Sequence, residues 1–173
     1  MGIAKALGVL GRAVKKTAHE MRQEAAEQRE QEERRTVILN GKTSSEVYVY
    51  IPKALSGISK GDEFALVCSE KPMRMKSTVT GTVWDSAENG DVPLLYKGRP
   101  IGFLSGHTVC QSIQRAMDAG LHVIVTAVCK AEGKRRGWPT ITVHTPSSTQ
   151  IEKLANERLS SLGMRQIPSR KSR

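Results

Sequence analysis

The chain has 173 residues, of which 38% are apolar and 4% aromatic, and it carries a formal net charge of +10. That length suits one domain with a modest aliphatic core and a helical appendage, while the charge excess favours acidic partners: nucleic acid, an anionic membrane or an acidic protein. Three scattered cysteines, Cys68, Cys110 and Cys129, exclude a disulfide framework and a zinc-type cysteine pair; no run reaches the roughly 20 apolar residues of a spanning helix.

Lys5, Arg12, Lys15 and Lys16 interrupt the apolar N-terminal stretch, so no signal peptide is read there and the expected setting is the reducing cytoplasm. Residues 1–35 read as one amphipathic, then charged, helix. Ile3, Leu7, Leu10, Val14, Thr17 and Met21 follow alternating steps of four and three, the spacing of a helical seam. Glu24 and Gln28 occupy the next seam positions, and the stripe fades into "QREQEERR". So short a stripe needs a surface to dock on. The choices are the folded domain, a second copy or another protein, or a membrane surface met by the flanking cations. Gly8 and Gly11 each weaken the helix by about 1 kcal/mol relative to alanine.

Residues 36–145 read as the folded domain. "TVILN" is a strand closing on the turn pair Asn40–Gly41, and "EVYVYI" alternates. Val47, Val49 and Ile51 share one face of that strand, with Tyr48 and Tyr50 on the other. "DEFALVCS" and "STVTGTVWD" read as further strands, with Gly81 a possible bulge. "KGRP" is a turn before the strand "IGFL". Val109, Ile113, Ala116 and Met117 then mark a helix, capped by Ser105 or Thr108 and stopped at Gly120. "LHVIVTAVC" is the strongest strand pattern, "KAEGKRRGW" a basic loop, and "PTITVHT" the closing strand. The expected fold is α+β: a small, strongly bent antiparallel sheet or partly open barrel with an inserted helix, flanked by N- and C-terminal helices. In residues 146–173, Ile151, Leu154, Ala155, Leu159 and Leu162 mark the last helix. The basic tail "MRQIPSRKSR" is expected to be mobile.

His107 and Cys110 lie three apart, a spacing that shares a helix face, but nothing in the sequence orients the histidine as a base. One histidine and one cysteine do not make a metal site. "GKRRG" lacks the lysine–hydroxyl ending of a phosphate loop. No catalytic residue, cofactor or metal is therefore expected. The functional signal is cations beside aromatics. Lys134, Arg135 and Arg136 precede Trp138; Lys97 and Arg99 flank Tyr96 in the "YKGR" turn; Tyr48 and Tyr50 line one strand face; Arg74 and Lys76 lie in "EKPMRMK". Single-stranded nucleic acid is held by cations on phosphates and by aromatic faces on bases.

"DEFALVCSEKP", a strand, a turn, "KGRPIGFLSGHTVCQSIQRAMDAGLHVIVTAVC", a loop and "PTITV" together resemble a HIRAN domain, over roughly residues 46–145. The resemblance implies a small β-barrel with helical insertions, no catalysis, and a pocket for a single-stranded DNA end. Tyr48 or Tyr50 would match an aromatic of that pocket. The family's acidic run after its "EP" turn is replaced here by "EKPMRMKSTVT", and no residue there matches its aspartate. The expectation is a non-enzymatic module for single-stranded or end-containing nucleic acid. The alternative is a protein-interaction or assembly protein working through its N-terminal helix.

Overall fold

A computed structural model describes residues 3–130 and 140–169, with side chains from residue 18 onward. Met1–Arg34 and Arg35–Arg173 form two separate compact units. The first is one continuous helix, α1 (Ile3–Arg34).

The second unit is α+β. Its strands are β1 (Thr36–Leu39), β2 (Thr43–Tyr48), β3 (Glu63–Cys68), β4 (Arg74–Lys76), β5 (Val83–Asp85), β6 (Val92–Tyr96), β7 (Arg99–Leu104), β8 (His122–Cys129) and β9 (Thr140–Thr145). A one-turn helix, α2 (Ser86–Asn89), precedes β6; α3 (His107–Asp118) lies between β7 and β8; α4 (Ser148–Ser161) follows β9. The main sheet is strongly curled and runs in the order β2-β9-β8-β3-β6-β7. Its two outer strands meet at a single bridge, Val49 with Gly102, next to a Tyr50 N–H donating to the Ile101 carbonyl at 2.7 Å. The result is a partly open barrel. An added Cβ at Gly102 would lie 2.3 Å from the Tyr48 carbonyl oxygen. Glycine is what lets the two strands close to bridging distance.

β8 is the spine because it alternates cleanly. Val123, Val125, Ala127 and Cys129 point into the core, the two-residue period of a half-buried strand. β3 runs antiparallel along one of its sides, and its other side is shared end to end by β9 and β1. The β1–β8 pair is parallel, a departure from an otherwise antiparallel sheet. "TVILN" therefore does not fold back at Asn40–Gly41 onto β2; the chain crosses there to pair β2 with β9.

Helices α3 and α4 complete the core. Ile113, Ala116 and Met117 of α3 and Ile151, Ala155 and Leu159 of α4 join the barrel's inward residues in one buried cluster. Each fully buried Leu or Ile side chain contributes about 1.5–3 kcal/mol. Gly120, at φ 90°, ends the helical region after α3 as its position suggests. The start of α3 differs from the expectation: Gly106 is the N-cap, with no side-chain cap.

Two further segments differ from the sequence reading. "STVTGTVWD" is not one strand. β4 and β5 form a separate two-stranded hairpin, and Gly81, at φ 74°, belongs to its turn rather than to a bulge. The start of the C-terminal tail is docked. Ile167 is buried in the main cluster, and its N–H and C=O bond to the Asn156 side chain at 2.7 and 3.2 Å. Arg115 holds Glu152 at 2.7 Å and also donates to the Pro168 carbonyl. One isoleucine and a satisfied backbone are enough to pin a segment that charge alone would leave in solvent.

Candidate functional site

The β6–β7 hairpin carries the first group of cations. Its two turn residues, Lys97 and Gly98, both have positive φ, at 48° and 75°. A two-residue turn of this hand matches strand twist and normally selects asparagine or glycine at the first position. Lysine there is the only non-glycine at positive φ among the described residues. Its Nζ sits 5.2 Å from the centroid of the Tyr96 ring, which in turn meets Phe64 edge-on at 5.5 Å. Lys97 and Arg99 are both exposed, and neither forms an ion pair among the described residues.

Strand register brings other sequence-selected residues to the same end of the barrel. Tyr48 pairs with Thr140, the first residue of β9, and the Lys130 N–H donates to the Thr140 carbonyl at 3.0 Å. β3 begins there too, with Glu63 opposite Val128. β6 runs antiparallel to β3, so the Lys97–Arg99 turn projects toward that end. Lys134, Arg135, Arg136 and Trp138 lie outside the described residues, in the segment joining Lys130 to Thr140.

The two tyrosines part company. Tyr48 is partly exposed. Tyr50 is only 8% exposed, edge-on to Tyr48 at 5.3 Å and to Phe103 at 5.3 Å. Together with Met75, and with Tyr48, Ile51 and Met73 around them, Tyr50 and Phe103 form a second cluster separate from the main core. Burial, then the neighbouring Tyr48 and Asp91, push the Tyr50 hydroxyl's pKa up. Tyr50 packs rather than offering a face to a base. What covers it is the β4–β5 hairpin, whose Arg74 and Lys76 point outward on either side of Met75. Trp84, missed from the sequence, lies on the same hairpin, 37% exposed, its Nε1–H donating to Asp91 at 2.8 Å. "VTGTV" read as a glycine turn would have found it.

The His107–Cys110 pair does not make a nucleophile. His107 Nε2 meets the Gln111 amide at 2.8 Å, while the buried Cys110 thiol donates to the Leu104 carbonyl at 3.0 Å. Burial pushes the Cys110 pKa up to about 11, so the thiol is neutral near pH 7 and a poor attacker. It borders a cleft of about 260 Å³ whose polar lining includes Glu70, Asp91, Gln111 and Gln114. Burial raises the Cys68 thiol likewise, and Cys129 is raised by burial and by Asp62. Among the described residues no cluster of three or more His, Cys, Asp or Glu could hold a metal ion, and no helix is long and apolar enough to cross a membrane.

No protein-family model matches the chain, and no curated protein or solved structure does either. The likeness to HIRAN domains therefore rests on the residue pattern alone.

Proposed function

We propose that the barrel is a non-enzymatic module for single-stranded or end-containing nucleic acid, HIRAN-like in role, acting in the reducing cytoplasm. The observation that carries this reading is Lys97. A lysine in the left-handed region is strained where asparagine or glycine would not be, and local strain of this kind concentrates at functional positions. It stands at the barrel end where Arg99, Tyr48 and Lys130 converge. Lys97 and Arg99 take phosphates, joined by Lys134, Arg135 and Arg136; Tyr48 and Trp138 stack on bases; Arg74 and Lys76 extend the positive track. Three free, buried cysteines suit a reducing setting.

The test is the double variant Lys97→Asn/Arg99→Gln, titrated with a fluorescent oligothymidylate. Loss of two phosphate contacts should weaken binding about tenfold or more at moderate salt. Unchanged affinity removes this turn from the interface.

A second reading has its own observation. α1 is uninterrupted over 32 residues and forms its own compact unit, and Met21 of its apolar stripe is 63% exposed. Self-association through that stripe predicts that the full chain sediments as an oligomer and residues 36–173 as a monomer. A monomeric full chain would end the self-association version.

A further inference from the structure

The second hydrophobic cluster has an unusual construction. Its floor is the outer side of the barrel seam: Tyr48 at the end of β2, Tyr50 and Ile51 just after it, and Phe103 of β7. Its roof is the β4–β5 hairpin, contributing Met73 and Met75. That hairpin pairs with no strand of the main sheet. Its ladder is short: Arg74 with Asp85, Met75 with Trp84 and Lys76 with Val83, followed by a Ser77 N–H bond to the Thr82 carbonyl at 2.8 Å. A two-stranded hairpin of this size is marginal by itself. Among the described residues, half of the exposed large hydrophobics, Val79, Val83 and Trp84, lie on it or at its tip, so much of its apolar surface stays in solvent.

Its moorings are few and sit at identifiable points. At the tip, the Thr78 N–H and hydroxyl both donate to the Tyr50 carbonyl, at 3.0 and 3.2 Å. At the base, Met73 N–H donates to Ser86 Oγ at 2.9 Å and Ser86 N–H to the Met73 carbonyl at 3.0 Å. Trp84 is latched to Asp91. Pro72 and Gly90, the latter at φ 68°, flank the segment. The base bonds can persist while the tip lifts, because they lie at the opposite end of the hairpin. Methionine is a suitable covering group: it is flexible and polarizable, and exchanges one aromatic contact for another at low cost.

We infer that the β4–β5 hairpin is a lid over the Tyr48–Tyr50–Phe103 rings, whose lifting lets a nucleobase replace Met75. The ligand part of this inference rests on the nucleic-acid reading; the lid itself does not. Closed, the rings are covered and the outward cations Arg74 and Lys76 make first contact with phosphate. Open, the same strand is met by ring faces. Binding then competes with lid closure, and the apparent affinity is the intrinsic one scaled by the open fraction.

Two measurements separate the lid from its ligand. The first is amide hydrogen exchange without nucleic acid. The Thr78 amide, bonded to the Tyr50 carbonyl, should exchange at least about a hundredfold faster than the neighbouring Tyr50 amide, bonded across the seam to Ile101. Equal protection overturns the lid. The second is oligothymidylate binding by Met75→Ala, which loosens the roof with every charge retained, and by Thr78→Val, which removes one tip bond with every charge retained. Both should bind the strand more tightly, Met75→Ala by about tenfold. Affinities at or below that of the parent, in variants whose Tyr50 amide stays protected, overturn the competition. If the Thr78 amide exchanges fast but neither parent nor variants bind the strand, the lid stands and the nucleic-acid reading falls.

Discussion

Replacing Gly102 with alanine tests how the barrel closes. The new Cβ would lie 2.3 Å from the Tyr48 carbonyl oxygen and 3.3 Å from a Val47 methyl. Carbon and oxygen settle no closer than about 3.3 Å, so the seam must open by about 1 Å. The obstructing atom is backbone, which cannot swing away as a flexible side chain would. Opening by that amount stretches the 2.7 Å bond from Tyr50 N–H to the Ile101 carbonyl beyond useful length. Loss of that bond costs about 1 kcal/mol, and overpacking the seam about 1–3 kcal/mol more. The expected destabilisation is thus about 2–4 kcal/mol, read as a lower urea midpoint at unchanged slope. Faster exchange at the Tyr50 amide should accompany it. A loss below about 0.5 kcal/mol, with Tyr50 still protected, would refute the view that Gly102 is kept for close approach.

Other outcomes follow from the same geometry. Lys97→Asn should stabilise the fold by about 0.5–1 kcal/mol, because asparagine tolerates the left-handed turn; a destabilised variant in urea unfolding would contradict the strain assigned to Lys97. Asn156→Ala removes both side-chain bonds to Ile167 and should cost about 2 kcal/mol. Trypsin should then cut after Arg165 faster than in the parent, and an unchanged cleavage rate would mean the tail is held by other contacts. Cys110 is neutral in both states at pH 7. Its folded pKa lies above its unfolded one, so the unfolded chain loses its proton first and stability falls as pH rises from about 8.5 toward 11. Cys68 adds to the fall in the same direction. Cys110→Ala should flatten the decline, which urea midpoints across that range will show.

Strands with a clean two-residue alternation were legible. "LHVIVTAVC" became β8, and "EVYVYI" put Val47 and Val49 inside as its pattern implied, whereas Ile51, expected on the same face, packs with Tyr50 outside the barrel because the alternation ends after Val49. The left-handed glycine after α3 was also legible, because Gly120 leaves few alternatives. What failed was information that no local pattern holds. "STVTGTVWD" has enough β-branched residues to read as one strand, and only tertiary packing on Tyr50 and Phe103 reveals the hairpin and its roof. The same packing withdrew Tyr50, which faces outward on its strand but is covered from outside the barrel. The tail's basic composition suggests mobility, yet the single side chain of Ile167 and the Asn156 amide pin its start. The pairing of β1 with β8 joins segments far apart in sequence and left no sign in either. For the site, the sequence singles out Lys97 and Arg99 by charge alone. The positive φ that makes Lys97 informative belongs to the backbone and could be read only from the structure.

The most direct test of the account is a salt titration of oligothymidylate binding to the full chain. On the proposed reading, Lys97, Arg99 and the neighbouring cations displace counterions from phosphates, so log affinity must fall linearly with log salt. The expected slope is about −0.7 for each single-strand phosphate engaged, hence about −2 to −4 for three to five contacts. Lys97→Asn/Arg99→Gln should make the slope shallower by about 1 to 1.5. A slope near zero, or one that the double variant leaves unchanged, would contradict the claim that this end of the barrel binds nucleic acid.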